Sequence, residues 1–176
     1  MNNKNWVIKA FILTFFLALI ISGISNVIVE NCGFIVLLII TIVIVFLGII
    51  FDIIGTAVLT ANEATFHAKA SNKIEGSKES IKLIKNSSNI ANFCNDIVGD
   101  ICGIVSGSMG AMIAIYAATH LEINNTLTAL LISSIISSIM VGGKAIGKNI
   151  AVKKSDEILF MVGKVINKFS SKKDKN

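Results

Sequence analysis

The sequence is poor in residues that form covalent cross-links or catalytic motifs. It contains no proline and only three cysteines. The cysteines form no CxxC pair and leave an odd count, so neither a disulfide framework nor a soft-metal site is indicated. No serine or cysteine is accompanied by an evident base, and no glycine-rich phosphate-binding loop occurs. We therefore expect a protein that is not an enzyme.

Apolar residues are abundant instead, and they are concentrated in blocks. They make up 53% of the 176 residues, above the usual share of about 45–50%, and the mean hydropathy is +0.77. The four blocks cover about 6–29, 34–61, 92–119 and 127–146, and each reaches the roughly 20 residues that a spanning helix needs. The first could instead be a signal peptide, but no small-x-small cleavage site follows, so we expect a retained helix. The sequence predicts an all-α polytopic membrane protein with four transmembrane helices.

The lysines fall on one predicted side of the membrane. The net charge is +5, and lysines flank the first block, occupy the linker after the second block and crowd the C-terminal tail. The two short turns at about 30–33 and 120–126 contain neither lysine nor arginine. The positive-inside rule therefore predicts a multi-pass protein of the cell membrane with both termini cytoplasmic. The lysines suit the anionic head groups of a lipid bilayer, and no nucleic-acid partner is expected.

Two amphipathic helices are predicted beside the spans. In the linker at about 71–89, Ile74, Ile81 and Ile84 share one helix face among charged residues, which is typical of a helix lying on the cytoplasmic leaflet. The second helix begins at Ser155, where a cap residue is followed by two acids. The predicted organisation is an extra N-terminal transmembrane helix and turn at 1–32, a transmembrane core at 33–151, and an amphipathic helix with a basic tail at 152–176.

Acidic residues inside the third block predict a polar site at membrane depth. Asp96 and Asp100 lie one helical turn apart, and a carboxylate at that depth costs roughly 2.5–3.5 kcal/mol unless it meets a cation, a paired side chain or water. At about 100° per residue, one helix face would carry Asn92, Asn95, Asp96, Gly99 and Asp100. The alternative is a packing seam made by glycines four residues apart, Gly99, Gly103 and Gly107.

The other spans add polar groups that could join this site. The second block and its end contribute Asp52, Thr56, Thr60 and Glu63. In the fourth block, a continuous helix would align Ser133, Ser137, Lys144 and Lys148. Carboxylate, amide, hydroxyl and backbone oxygens suit hard cations such as Mg²⁺ or Ca²⁺ rather than copper or zinc. A proton or sodium site stays open as an alternative.

Three short segments resemble motifs of the membrane domain of the cyclin M/CorB–CorC magnesium transporters. Thr60-Ala61-Asn62-Glu63-Ala64 is similar to that family's S-x-S-E-x-A, and Cys94-Asn95-Asp96 is similar to its G-N-N segment. The stretch at 143–151, GKAIGKNIA, is similar to its G-E-x-x-P-K-x-x-A. The order of the motifs and the linker helix also fit, and the likeness covers about 34–169.

This resemblance implies a homodimer that binds Mg²⁺ between the helices, with ion contacts at Thr60, Asn95 and the backbone of Gly143. The likeness is divergent, because the family's glutamate falls on Lys144, its proline falls on Gly147, and its nucleotide-sensing CBS domains are missing. An ammonium group at position 144 repels a divalent ion and can itself occupy a carboxylate site.

Two outcomes follow from the lysine at that position. In the first, the acids of the third span replace the lost negative charge and a hard cation, Mg²⁺ by the resemblance, binds to a set comprising Thr60, Asn95, Asp96, Asp100 and Gly143. In the second, the lysine pairs with an acid and plugs the site, which leaves a non-transporting regulatory or scaffolding module.

The predicted charge network comprises Asp52, Glu63 and Lys144. Because buried charges persist chiefly when they are partnered, we expect the lysine to lie close to an acid of the second or third span. A third alternative is a proton-coupled carrier that uses Asp52, Asp96 and Asp100.

Overall fold

A computed structural model describes residues 8, 11–20, 23, 33–121 and 125–173 of the chain. The described part is built from helices and contains no strand, which confirms the all-α prediction. The α-helices in chain order are α1 (Phe11–Ile20), α2 (Phe34–Thr60), α3 (Glu63–Ser71), α4 (Ser77–Lys85), α5 (Ser87–Ala91), α6 (Asp100–Leu121), α7 (Asn125–Lys153) and α8 (Ser155–Lys173). A π-helix at Asn92–Gly99 joins α5 to α6.

Three helical stretches are long and apolar enough to cross a membrane, namely Phe34–Thr60, Ser87–Thr119 and Thr126–Lys153. They correspond to the second, third and fourth predicted blocks. The described core of the first block, α1, is a shorter apolar helix, and the rest of that block lies largely outside the described residues. Membrane association is therefore supported by the length and composition of the helices.

The chain divides into two compact units. Unit 1 comprises Met1–Ile49 and Ile97–Gly143, and unit 2 comprises Ile50–Asp96 and Lys144–Asn176.

Unit 1 has an apolar core with close helix contacts. Leu37 of α2 packs with a buried row that runs along the third span, Ile97, Ile101, Val105, Met109 and Ile113. Glycines permit close approach here: a Cβ at Gly110 would lie 2.6 Å from the Cδ1 of Ile136, and one at Gly48 would lie 2.8 Å from the Cβ of Cys102. Close contact is not seen at two glycines of the alternative packing seam. A Cβ at Gly107 would meet nothing within 4 Å, and one at Gly103 would make only ordinary contact.

The outer surface of unit 1 is also apolar. Ile35, Phe46, Ile104 and Leu131 are each more than half exposed. A water-soluble protein rarely leaves so many large apolar side chains uncovered, whereas hydrocarbon covers them without cost. The exposed surface therefore agrees with the composition of the spans.

Unit 2 contains a second core around Val58, Phe66 and Leu159. Ile81 and Ile84 of α4 pack against this core, so the apolar face of the linker contacts protein. The linker is also divided, because a turn separates α3 from α4 where the sequence predicted one helix at about 71–89. Gly76 ends this turn with a φ of 87°, a left-handed conformation that glycine adopts readily.

Small residues bring α4 and α8 into direct backbone contact. A Cβ at Gly163 of α8 would lie 2.5 Å from the carbonyl oxygen of Gly76. Ser77 and Ser80 are fully buried at this crossing. The Ser80 hydroxyl lies 2.9 Å from the carbonyl oxygen of Gly76 and 3.2 Å from that of Leu159, so its hydrogen bond reaches the facing helix.

Candidate cation-binding site

A buried carboxylate lies inside the second span. Asp52 belongs to α2, its side chain is 3% exposed, and its Oδ2 lies 3.7 Å from the Nζ of Lys148 in α7. Lys148 is 54% exposed, so the ion pair joins a buried anion to a partly accessible cation. Eight residues separate Asp52 from the end of α2, which places it roughly 12 Å along the helix from that end at 1.5 Å per residue.

A side-chain amide approaches the same helix one turn further along. Gly55 is buried, and a β-carbon at position 55 would clash with the Oδ1 of Asn95. The Asn95 Cγ lies 2.8 Å from that same Cβ position. The Oδ1 is itself buried and accepts no hydrogen bond within the part of the chain that the structure describes. Because Asp52 and Gly55 are three residues apart on one helix, unit 2 presents a carboxylate and an amide oxygen along the same face of α2.

The π-helix determines which polar residues of the third span are covered. Asn95 is half-buried within it, whereas Asp96 and Asp100 are exposed and Gly99 is buried. The predicted common face assumed α-helical rotation. A π-helix closes hydrogen bonds over five residues instead of four, so it changes the direction of every side chain along it. The carboxylates and the amide therefore do not share one environment. Such wide turns are frequent at functional sites.

Two other predicted residues have partners of their own in unit 2. The Thr60 hydroxyl donates to the Thr56 carbonyl at 3.0 Å, and the Thr60 carbonyl lies 3.4 Å from the Ser155 hydroxyl. Glu63 is the first residue of α3, is partly exposed and contacts His67 at 3.2 Å. The backbone N–H of Asn62, the residue that caps α3, donates a hydrogen bond to the carboxylate of Asp156 at 2.8 Å. These contacts build the junction between helices.

Gly143 lies in unit 1 against an apolar side chain. A Cβ there would lie 3.2 Å from the Cγ1 of Ile49. Helix α7 runs unbroken from Asn125 to Lys153, and carbonyls inside a regular helix are already engaged by amides four residues on. The glycine therefore serves close packing in a continuous helix. Lys144 follows it and is half-buried; its predicted contact with an acid stays a prediction.

The donor set limits the kind of cation that unit 2 can hold. The described residues contain no group of three or more histidine, cysteine, aspartate or glutamate side chains that could hold a metal ion. A cage of carboxylates or a soft-metal site is thus not supported by those residues. Mg²⁺, by contrast, is commonly held by one or two carboxylates while it keeps several waters. Asp52 and the oxygen of Asn95 are of the ligand types that such a site uses.

Sequence reasoning named Asp52 and Asn95 but did not identify Lys148 as a partner of the carboxylate. Lys148 lies five residues before the end of α7, whereas Asp52 lies eight residues before the end of α2, so the two depths differ by almost one helical turn. Distance from the span ends matches Lys144, nine residues before the end of α7, more closely to Asp52, so the sequence carried no signal that singled out Lys148.

Comparison of the chain with protein-family models, with curated proteins and with solved structures finds no match. The resemblance to the cyclin M/CorB–CorC domain therefore still depends on the three short motifs alone.

Proposed function

We propose that the protein is a multi-pass protein of the cell membrane, with both termini cytoplasmic, that binds a hard cation such as Mg²⁺ as a step in transport. The observation that carries this proposal is the buried carboxylate of Asp52 within a membrane-spanning helix. A charge at that depth is costly and marks ion or substrate pathways in membrane proteins.

Cation binding proceeds by competition between the ammonium of Lys148 and an entering cation for the carboxylate of Asp52. In the described arrangement the ammonium of Lys148 lies against Asp52. The lysine has a long flexible stem and is partly exposed, so it can withdraw toward the membrane boundary. An entering cation would then bind the carboxylate and the Asn95 oxygen, which accepts no hydrogen bond from the described residues. Lys148 thereby becomes the regulator of the site.

A second candidate is a non-transporting membrane module in which the ammonium remains in place. The ion pair itself favours this candidate, since a lysine that never leaves is a permanent counter-ion. In the sequence-based version of this alternative the plug is Lys144, and the 3.7 Å contact between Lys148 and Asp52 supports Lys148 as a second lysine for the same role.

A homodimer is part of the proposal. Asp96 is exposed on the third span, and a carboxylate facing hydrocarbon costs roughly 2.5–3.5 kcal/mol. A second copy of the chain that covers this residue with polar groups removes that cost.

Thermal unfolding of the purified protein with and without MgCl₂, at constant ionic strength, tests cation binding. Lys148→Gln removes the ammonium that lies 3.7 Å from the buried Asp52 carboxylate, and the variant should be less stable than the wild type by about 1–3 kcal/mol. Added Mg²⁺ should restore this stability. Asp52→Asn should abolish the response to Mg²⁺. Lys153→Gln, an exposed lysine at the end of the same helix, is the matched control and should behave as the wild type.

A Lys148→Gln protein that stays equally destabilised at every Mg²⁺ concentration would contradict cation binding and support a purely structural ion pair. Mg²⁺ flux into liposomes then separates transport from binding. We expect flux through the wild type and none through Asp52→Asn, whereas binding without flux would favour the non-transporting module. Uptake driven by pH and insensitive to Mg²⁺ would favour the proton-coupled carrier.

A further inference from the structure

Helix α8 has two different apolar sides. Leu159 and Gly163 are buried against the core and α4. Met161, Val165 and Phe169 are spaced four residues apart and are 59%, 55% and 72% exposed. Residues at this spacing lie along one side of a helix. The second side therefore forms a continuous apolar stripe that no described residue covers.

Positive charge borders this stripe. Lys164 and Lys168 are exposed and lie one residue before Val165 and Phe169. The Lys164 ammonium lies 4.4 Å above the ring of Phe160, which keeps its stem close to the helix. After Glu157, the sequence of α8 contains no acidic residue. The exposed part of the helix thus offers apolar side chains and positive charges together.

The position of α8 in the chain brings it to the end of a span. Helix α7 ends at Lys153 and α8 begins at Ser155, so Met161 follows the last residue of a membrane-spanning helix by only eight positions. A stripe of this kind at this place meets the boundary between head groups and acyl chains, where amphipathic helices with lysines bind anionic lipid.

We propose that the α8 outer face, defined as Met161, Val165 and Phe169 with Lys164 and Lys168, binds the surface of a bilayer that contains anionic phospholipid. The three apolar side chains enter the acyl boundary, and the two ammonium groups contact phosphate. Charge complementarity selects this occupant, because a neutral partner would leave the lysines uncompensated. The proposal is independent of cation binding at Asp52.

Contact with lipid at this face also constrains the linker. Because Gly163 and Ser80 hold α8 directly against α4, a helix fixed to the bilayer surface holds the linker there as well. The face therefore positions the whole α4–α8 layer of unit 2 against the membrane surface.

Single-tryptophan fluorescence of the full chain in nanodiscs tests the proposal. The chain contains one tryptophan, Trp6, so Trp6→Phe combined with Phe169→Trp reports on the outer face alone. Nanodiscs of phosphatidylcholine, with or without phosphatidylglycerol, are prepared with brominated acyl chains as quenchers. The matched control carries Ser170→Trp in the same background, since Ser170 is exposed and, nine residues after Met161 at about 100° per residue, lies on the opposite side of α8 from it.

We expect brominated lipid to quench the reporter at 169 several-fold more than the reporter at 170, and the difference to grow with phosphatidylglycerol. Lys164→Gln with Lys168→Gln should remove this dependence on lipid charge, as should high salt. Equal quenching at both positions, or quenching at 169 that ignores lipid charge, would overturn the proposal. The proposal would also be overturned if the reporter at 169 were unquenched and its emission changed with the number of protein copies per nanodisc, because a second copy would then cover the stripe.

Discussion

At the scale of single residues, the contact between Gly55 and Asn95 determines how the amide approaches α2. The Asn95 side chain occupies the space that any larger residue at position 55 would need. The glycine is therefore required by a polar neighbour, and helix flexibility does not explain it.

Gly55→Ala should destabilise the protein by about 1–3 kcal/mol, the usual cost of overpacking a well-filled site. The β-carbon would displace the Asn95 amide, so Asn95→Ala in the same chain should recover most of the loss. Thermal unfolding in detergent measures both effects.

Gly107→Ala is the control for this pair, because its β-carbon would meet nothing within 4 Å. There the substitution should be neutral or slightly stabilising, since alanine favours a helix over glycine by roughly 0.5–1 kcal/mol. A Gly55→Ala protein as stable as Gly107→Ala would show that the amide is not seated on the glycine.

At the scale of elements, the crossing of α4 and α8 depends on the absence of a side chain at Gly163. Its β-carbon would lie against the backbone of Gly76 as well as against Ser80, and backbone moves less easily than a side chain. The two helices would have to separate.

Gly163→Ala should therefore destabilise unit 2 by about 1–3 kcal/mol and increase protease cleavage in the turn between α3 and α4. Gly142→Ala, at a helical position with open space around it, should neither lower the stability nor increase the cleavage. Limited proteolysis followed by mass spectrometry locates the cut. Cleavage that is unchanged in Gly163→Ala would contradict a tight crossing.

The elements themselves were largely predictable, and their contacts were not. Apolar blocks predicted the three long spans because membrane helices need an uninterrupted run of suitable length. The turn at Gly76 was missed because the isoleucines around it keep a helical spacing that does not reveal a break. The π-helix was missed because its widened hydrogen bonds carry no residue signature in the sequence.

Glycine spacing was a poor guide to packing for a related reason. The alternative prediction was a regular glycine series in the third span, yet the close approaches in unit 1 occur at Gly48, Gly110 and Gly143. A glycine is needed where the facing side chain is large and near, and that neighbour belongs to a different part of the chain. One sequence does not contain this information.

At the scale of the whole molecule, the distribution of lysines predicts the orientation of the spans. Cys32 lies in the first short turn, outside the described residues, and is predicted to face outward. Cys94 and Cys102 are buried in the described structure. A membrane-impermeant maleimide added to intact cells should therefore label the protein, and Cys32→Ser should abolish the labelling.

The control for orientation is a cysteine placed at Ser170, an exposed position in α8, in the Cys32→Ser background. It should react only after the cells are permeabilised. Labelling of this position in intact cells would reverse the predicted topology and move the basic segments to the outer side.

The unequal burial of Asp52 and Lys148 has an electrical consequence. If the ammonium withdraws toward the boundary while the carboxylate stays, a positive charge travels through part of the transmembrane field. A full crossing is worth about 2.3 kcal/mol per 100 mV, and a partial displacement is worth a proportional fraction. The choice between lysine and an incoming ion at the carboxylate would then depend on voltage. The sign of the membrane potential would favour one of the two cations over the other.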